Sequence, residues 1–139
     1  MASIDKSAAG YKLTATSAGL TSAVSATFTV NAGVAVQLGF TQQPNGGTGG
    51  VAWTTQPKVA VQDALGNTVT SSSASVTLAI TAGTGNPSGT LTCTANPNAA
   101  AAGIVTFAGC KINLPGSGYT LTATAAGLTN ATSTTFNIT

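Results

Sequence analysis

The sequence has very little charge and lacks the residue types most used in catalysis. Charged residues make up 4% of its 139 positions, against about 25% in ordinary soluble domains. General acid–base catalysis needs a proton carrier of suitable pKa close to a nucleophile, and the sequence contains no His and no Glu. It therefore predicts a protein that is not an enzyme. The only side chains that are charged at neutral pH are Asp5, Asp63, Lys6, Lys12, Lys58 and Lys111.

The same scarcity limits the ligands and partners to be expected. Four separated lysines give neither a stripe for phosphates nor a patch for an anionic membrane surface. The absence of His excludes a zinc site, and no stretch approaches the roughly 18 apolar residues of a membrane span. A calcium site at Asp63 would need six or more oxygens, which one carboxylate and Asn67 supply poorly. We expect no cofactor, no metal, no nucleic acid and no membrane insertion.

Asp63 has a simpler interpretation as a turn residue. It opens the segment from Asp63 to Asn67, in which Gly66 can adopt the positive φ that a tight turn requires. An Asp at the start of such a turn accepts hydrogen bonds from backbone N–H groups a few residues later. The sequence therefore predicts a structural carboxylate here.

Only two cysteines are present, Cys93 and Cys110, and they do not form a Cys-x-x-Cys motif. We predict that they form a disulfide, which would close a loop of 18 residues counted inclusively from 93 to 110. The chain-entropy model gives such a bond about 3 kcal/mol. A disulfide implies an oxidising compartment, so we expect an extracellular, cell-surface or secreted protein. The first residues lack the apolar run of a signal peptide, which suggests a piece of a longer exported chain.

The beginning of the chain repeats its end. Residues 4–30 align with residues 112–138 without a gap, at an offset of 108 (112 minus 4), and 15 of the 27 aligned positions are identical. Self-similarity at a fixed period marks a repeat protein, and a period of 108 residues is that of a whole small domain. We expect residues 1–31 to be the C-terminal hairpin of a preceding repeat and residues 32–139 to be a complete repeat. Ala2 lies where the offset places Cys110.

The apolar pattern has the period of two that is typical of strands. Tyr119, Leu121 and Ala123 alternate with threonines, a Gly-Leu-Thr turn follows, and a second strand ends at Ile138. Five earlier strands separated by Gly, Pro and Asn clusters bring the total to about seven, which favours a β-sandwich. Residues 98–102 favour a helix but are too few to form one unaided. The five earlier strands are predicted at residues 34–40, 59–62, 76–81, 90–94 and 104–107.

Four segments of the sequence are characteristic when taken together: Phe40 to Pro44, Gln56 to Asn67, Ser75 to Leu78 and Gly118 to Ala123. They resemble the bacterial immunoglobulin-like domains of large surface and secreted proteins. The resemblance covers residues 34–139, with residues 4–30 as the tail of a preceding unit. It implies an all-β, immunoglobulin-like Greek-key sandwich that serves as a spacer in a stalk, adhesin or filament, although this fold supports many functions. The disulfide departs from the antibody pattern, because Trp53 precedes both cysteines.

Three aromatic residues have predicted roles. Tyr119 begins the penultimate strand after Gly116 and Gly118, as in a tyrosine corner whose hydroxyl bonds to backbone a few residues upstream. Tyr11 is its counterpart in the first copy. Trp53 follows a glycine-rich loop and either packs, on the sandwich or against the neighbouring repeat, or stacks on a sugar ring. The latter would make the protein a carbohydrate-binding or adhesive module.

The N-terminal copy of the hairpin lacks the five strands that it would cover. Its apolar residues would otherwise be left in water, and exposed apolar patches and open strand edges favour association. We therefore predict that this segment docks, either on the edge of its own domain or on a neighbouring chain. Docking between chains would make the protein a filament subunit that assembles by hairpin exchange. The predicted docking residues are Tyr11, Leu13, Leu20 and Phe28.

Overall fold

The computed structural model describes residues 1–139 and is all-β. No helix in it is long and apolar enough to cross a membrane. Four short strands form an N-terminal hairpin (residues 8–30): β1 (Ala8–Tyr11), β2 (Thr14–Ala15), β3 (Ala23–Val24) and β4 (Phe28–Val30). The main body (residues 33–139) contains β5 (Gln37–Gln42), β6 (Lys58–Gln62), β7 (Ser75–Ile80), β8 (Leu91–Thr92), β9 (Asn98–Ala99), β10 (Ile104–Thr106), β11 (Lys111–Ile112), β12 (Gly116–Tyr119), β13 (Leu121–Thr124), β14 (Ala131–Thr132) and β15 (Phe136–Ile138).

Two larger sheets carry most of the main body. One has the order β10-β6-β5 and the other the order β14-β13-β7-β9, and all neighbouring strands are antiparallel. Two further pairs, β8 with β11 and β12 with β15, extend the strand pairing. The five strands predicted upstream of the last hairpin are all present, with ends shifted by up to three residues. Residues 98–99 form a strand and not the start of a helix.

The main body contains eleven short strands, where the sequence predicts seven. Part of the difference arises in the C-terminal hairpin (residues 116–138), in which each predicted strand is divided in two. The backbone ladder is interrupted where the hydroxyl of Ser133 accepts the N–H of Leu121 at 2.9 Å and donates to the carbonyl of Thr134 at 2.9 Å. A side chain replaces a backbone partner there, so one arm becomes β12 and β13 and the other becomes β14 and β15.

Both larger sheets contribute side chains to a single hydrophobic core, as in a β-sandwich. Alternation explains the contribution of β7, whose Val76 and Leu78 are buried while Thr77 between them is exposed. The strand β6 lies in the middle of its sheet, and three successive residues of it are buried. The core residues of the main body are Leu38, Trp53, Val59, Val61, Val76, Leu78, Ala100, Val105, Phe107, Cys110, Ile112, Tyr119, Leu121, Ala123, Phe136 and Ile138.

The predicted disulfide between Cys93 and Cys110 is confirmed. It joins the chain just after β8 to the chain just before β11, beside the place where these two strands pair. Cys110 is fully buried and belongs to the hydrophobic core. The disulfide therefore holds β8 and β11 together at one end of the main body.

Candidate functional site

The N-terminal hairpin has the same backbone pairing as the C-terminal hairpin. Tyr11 pairs with Phe28 in the first, and Tyr119 pairs with Phe136 in the second, which is the same register at an offset of 108. The pairs Thr14 with Val24 and Ala15 with Ala23 recur in the same way as Thr122 with Thr132 and Ala123 with Ala131. The repetition in sequence is thus also a repetition in structure.

The tyrosine hydroxyls make the backbone bonds that the sequence predicts. Tyr119 donates to the carbonyl of Leu114 at 2.9 Å, and Tyr11 donates to the carbonyl of Lys6 at 2.9 Å. Each ring also stacks on the Phe opposite, with centroids 6.0 Å apart in the C-terminal hairpin and 5.9 Å apart in the N-terminal one. The N–H of Leu13 likewise bonds the hydroxyl of a serine, Ser25, at 2.9 Å. The two hairpins therefore share these two kinds of side-chain hydrogen bond as well as their register.

The two copies differ in what covers their apolar face. Leu121 is fully buried, whereas its counterpart Leu13 is 60% exposed. An open cleft of about 390 Å³ lies on the uncovered face of the N-terminal hairpin, where the other copy has core. It is lined by Ala2, Ser3, Ile4, Leu13, Phe28 and Val30, whose counterparts at the offset of 108 are Cys110, Lys111, Ile112, Leu121, Phe136 and Ile138. Five of these six counterparts belong to the hydrophobic core.

The predicted docking of this face on the chain's own sheet edge is not what the structure shows. Leu13 and Leu20 are exposed, while Tyr11 and Phe28 are half-buried and stack on each other. The N-terminal hairpin instead reaches the main body through the loop that precedes it, around Asp5. Docking of the four residues on another chain stays a prediction.

The loop around Asp5 contacts the turn from Asp63 to Asn67 of the main body. This turn contains the predicted structural carboxylate. One carboxylate oxygen of Asp63 accepts the N–H groups of Leu65 and Asn67, both at 2.9 Å. The other accepts the N–H of Gly33 at 2.9 Å and the side-chain amide of Asn67 at 3.0 Å. Asp63 is only 5% exposed and Asn67 only 9%. This buried charge is thus held by four N–H donors, one of them from Gly33, the first residue of the main body after the hairpin.

The donors around Asp63 lower the pKa of its carboxyl to about 2 from an ordinary value of 3.8. The largest cause is the side-chain hydrogen bond from Asn67, followed by the backbone N–H of Gly33. Burial acts in the opposite direction, and the N–H groups of Asn67 and Leu65 lower the pKa further. The carboxylate therefore remains ionised down to strongly acidic pH.

Asn67 links this turn to the N-terminal segment. Its side-chain amide donates to the carbonyl of Asp5 at 2.8 Å, and its side-chain oxygen accepts the N–H of Ser7 at 3.1 Å. A third, weaker contact runs from the Lys6 ammonium to the carbonyl of Leu65 at 3.5 Å. We call this set of contacts, made by residues 5–7 and residues 63–67, the clasp. Asn67 has no local sequence signal for this role, because its partners lie about sixty residues away.

Trp53 is buried and not available to a sugar. Its ring is 4% exposed and meets the ring of Phe136 edge to face, with centroids 5.2 Å apart. Its indole N–H is buried and has no hydrogen-bond partner, so packing alone holds the ring. The glycine-rich loop before it lies along β15, where Gly47 donates to and accepts from the backbone on either side of Ile138. Of the two alternatives for Trp53, packing on the main body is the one observed.

The comparisons give no family for the chain. No model of a known protein family matches it, and no curated protein is significantly similar to it.

Proposed function

We propose that this protein is a structural, immunoglobulin-like repeat of an extracellular stalk, adhesin or filament, in which each disulfide-stapled unit adds length. On this proposal residues 1–31 are the last hairpin of one unit and residues 32–139 are the next complete unit. The protein then acts as a spacer and not as an enzyme, and its partners are the neighbouring repeats.

The uncovered face of the N-terminal hairpin is the observation that carries this proposal. Its six cleft residues correspond to six residues of the main body, five of which lie in the core. A hairpin with the register, tyrosine bond and aromatic stack of a core element is the form expected if a further set of strands belongs on it. Residues that match 33–109 would supply those strands.

The experiment is to supply the missing strands. Residues 33–109 are placed directly before Ala2, and Ala2 is replaced by Cys, because position 2 corresponds to Cys110. We expect two disulfides in the intact mass, protection of the Leu13 and Phe28 amides from exchange, and a longer particle in small-angle scattering. If the added residues stay unfolded while the original main body folds, the repeat proposal is wrong.

A matched pair of substitutions sharpens this test. In the original chain Leu13→Asp should have little effect on stability, because Leu13 is largely exposed and surface substitutions usually change stability by less than about 0.5 kcal/mol. In the extended chain the same substitution should unfold the added unit, because it would place an unpaired charge in a core. Leu121→Asp should unfold the main body in either chain. Equal tolerance of Leu13→Asp in both chains would contradict the proposal.

One alternative function has a specific observation in its favour. The uncovered apolar face is also what hairpin exchange between chains would require, and such exchange would make the protein a filament subunit. The incoming hairpin would have to displace the C-terminal hairpin of the second copy. Sedimentation of the full chain beside a version that starts at Ala32 distinguishes the two: exchange predicts concentration-dependent assembly of the full chain only. A carbohydrate-binding module has no such support, since Trp53 is buried.

A further inference from the structure

The side-chain hydrogen bonds between the N-terminal segment and the main body all come from residues 5–7. A shallow cleft of about 240 Å³ lies at this junction, with Ala8 and Asn31 on one side and Thr68 and Thr70 on the other. No buried or partly buried apolar residue before Ala35 belongs to the hydrophobic core or packs against it, so apolar packing across the junction is sparse. The hydrogen bonds of the clasp are the specific contacts that can set the angle between the two parts.

The clasp recognises backbone groups at a fixed spacing. The side-chain amide of Asn67 donates to the carbonyl of Asp5, and its side-chain oxygen accepts the N–H of Ser7, which lies two residues later on the same loop. The carboxylate of Asp63 accepts a hydrogen bond from this amide and so orients it. It also accepts a hydrogen bond from the N–H of Gly33, the first residue of the main body. The same turn is thus hydrogen-bonded to the chain both before and after the N-terminal hairpin.

We propose that the turn from Asp63 to Asn67 is an inter-repeat joint, which docks the loop before the hairpin tyrosine of the preceding repeat and so holds successive repeats at a fixed angle. This inference rests on the proposed function, since it takes the N-terminal hairpin to be part of a preceding repeat. It also specifies what the turn binds: a loop of the preceding repeat that offers a free backbone carbonyl and, two residues later, a free N–H.

The equivalent loop of the main body does not meet this requirement. At the offset of 108, Ser7 corresponds to Pro115, which has no N–H to donate. Lys6 corresponds to Leu114, whose side chain has no donor for a carbonyl. A turn like that of residues 63–67 could therefore bind the carbonyl of Asn113. It would find no backbone N–H at Pro115 and no side-chain donor at Leu114. The joint is selective, and an array with both kinds of loop would contain firmer and looser junctions.

The difference between the two loops supplies the decisive variant. Ser7→Pro removes the N–H that Asn67 accepts, and the hairpin should tolerate it, because Pro115 occupies the same place in a hairpin of the same register. Ser7→Ala is the matched control, since it keeps the N–H. Asn67→Ala removes both side-chain contacts from the other side of the joint.

The angle between the two parts is measured in the full chain by electron paramagnetic resonance distances between spin labels at Ser17→Cys and Ser73→Cys. Both sites are exposed, and the native cysteines are bonded to each other. We expect one narrow distance distribution in the unsubstituted protein and in Ser7→Ala, and a broad one in Ser7→Pro and Asn67→Ala. The Gly33 amide should exchange roughly tenfold faster in Asn67→Ala, as expected from the loss of one supporting hydrogen bond.

Two results would overturn the joint. One is a broad distribution in the unsubstituted protein, and the other is a Ser7→Pro distribution as narrow as that of Ser7→Ala. Near-native unfolding of the main body in Ser7→Pro, followed by the fluorescence of Trp53, shows that any broadening comes from the junction and not from unfolding. Neither overturning result would affect the extended-chain experiment, because a flexible spacer would still fold its added unit.

Discussion

Replacing Tyr119 by Phe tests the most specific side-chain bond of the main body, and Tyr11→Phe is its internal control. Both hydroxyls donate to a carbonyl five residues upstream at 2.9 Å, and both rings stack on a Phe. The two sites differ in their surroundings: Tyr119 is fully buried in the core, whereas Tyr11 is half-buried on the uncovered hairpin. The same chemical change is thus made in two environments.

The expected magnitude follows from what the substitution removes. Phe keeps the ring of Tyr119 and its stack on Phe136. The substitution therefore removes one hydrogen bond and leaves the carbonyl of Leu114 without the donor that the hydroxyl supplied. A bond of this kind contributes on the order of 1 kcal/mol net, and somewhat more where its partner is left unsatisfied. For a folding unit of this size, 1 kcal/mol lowers Tm by roughly 4 °C. Tyr11→Phe should change the stability of the main body by less than about 0.5 kcal/mol.

Urea unfolding followed by Trp53 fluorescence measures the effect, because the single Trp is buried in the core of the main body. We expect Tyr119→Phe to lower the midpoint with an unchanged slope, which indicates a change of stability and not of the denatured state. Tyr11→Phe should leave the midpoint in place. Equal shifts in the two variants, or no shift in either, would refute the reasoning from burial.

Three further predictions concern the disulfide, a close approach and a charge. Reducing the disulfide should lower the free energy of unfolding by about 3 kcal/mol, the chain-entropy value for its loop, as measured by urea unfolding with and without reductant. Gly83→Ala should cost about 1 kcal/mol for its positive φ alone, whereas Gly85→Ala should cost roughly 1 to 3 kcal/mol more, because its Cβ would overlap the Tyr119 ring; equal Tm values would contradict this. The pKa of Asp63 is lowered on folding, so its stabilising effect should be complete above about pH 4 and be lost as the pH falls through about 2. Asp63→Asn should lack this acid step in a pH series of melting curves, and a step that persists would point to another group.

The features that could be predicted from the sequence are those encoded locally or by repetition. Alternation placed the strands, because a half-buried sheet needs apolar residues at every second position. The two cysteines had only each other as a partner. The tyrosine bond could be read from Tyr119 and its preceding glycines, and its recurrence at Tyr11 followed from the offset. The equivalence of Ser25 and Ser133 was visible as an identity in the same alignment, but nothing in the pattern said that these hydroxyls interrupt the strand ladder.

The features that escaped prediction depend on how distant segments are placed. Asn67 has no local signal beyond its place in a turn, and its partners at Asp5 and Ser7 become neighbours only once the main body and the hairpin are set side by side. A glycine-rich loop is compatible with both possibilities for Trp53, although packing is the more usual one. They were separated by the approach of that loop to β15, which only the folded chain contains.

The proposed joint is consistent with the scarcity of charge in this chain. A junction held by lysine–carboxylate pairs would weaken as salt screens exposed charges. Here the one buried carboxylate, Asp63, is balanced by N–H dipoles at hydrogen-bond distance, and Asn67 makes the contacts to the neighbouring loop without a net charge. Short-range contacts of this kind are screened little by ions. The angle between repeats should therefore stay the same from low to high ionic strength, and acid strong enough to protonate Asp63 should loosen it.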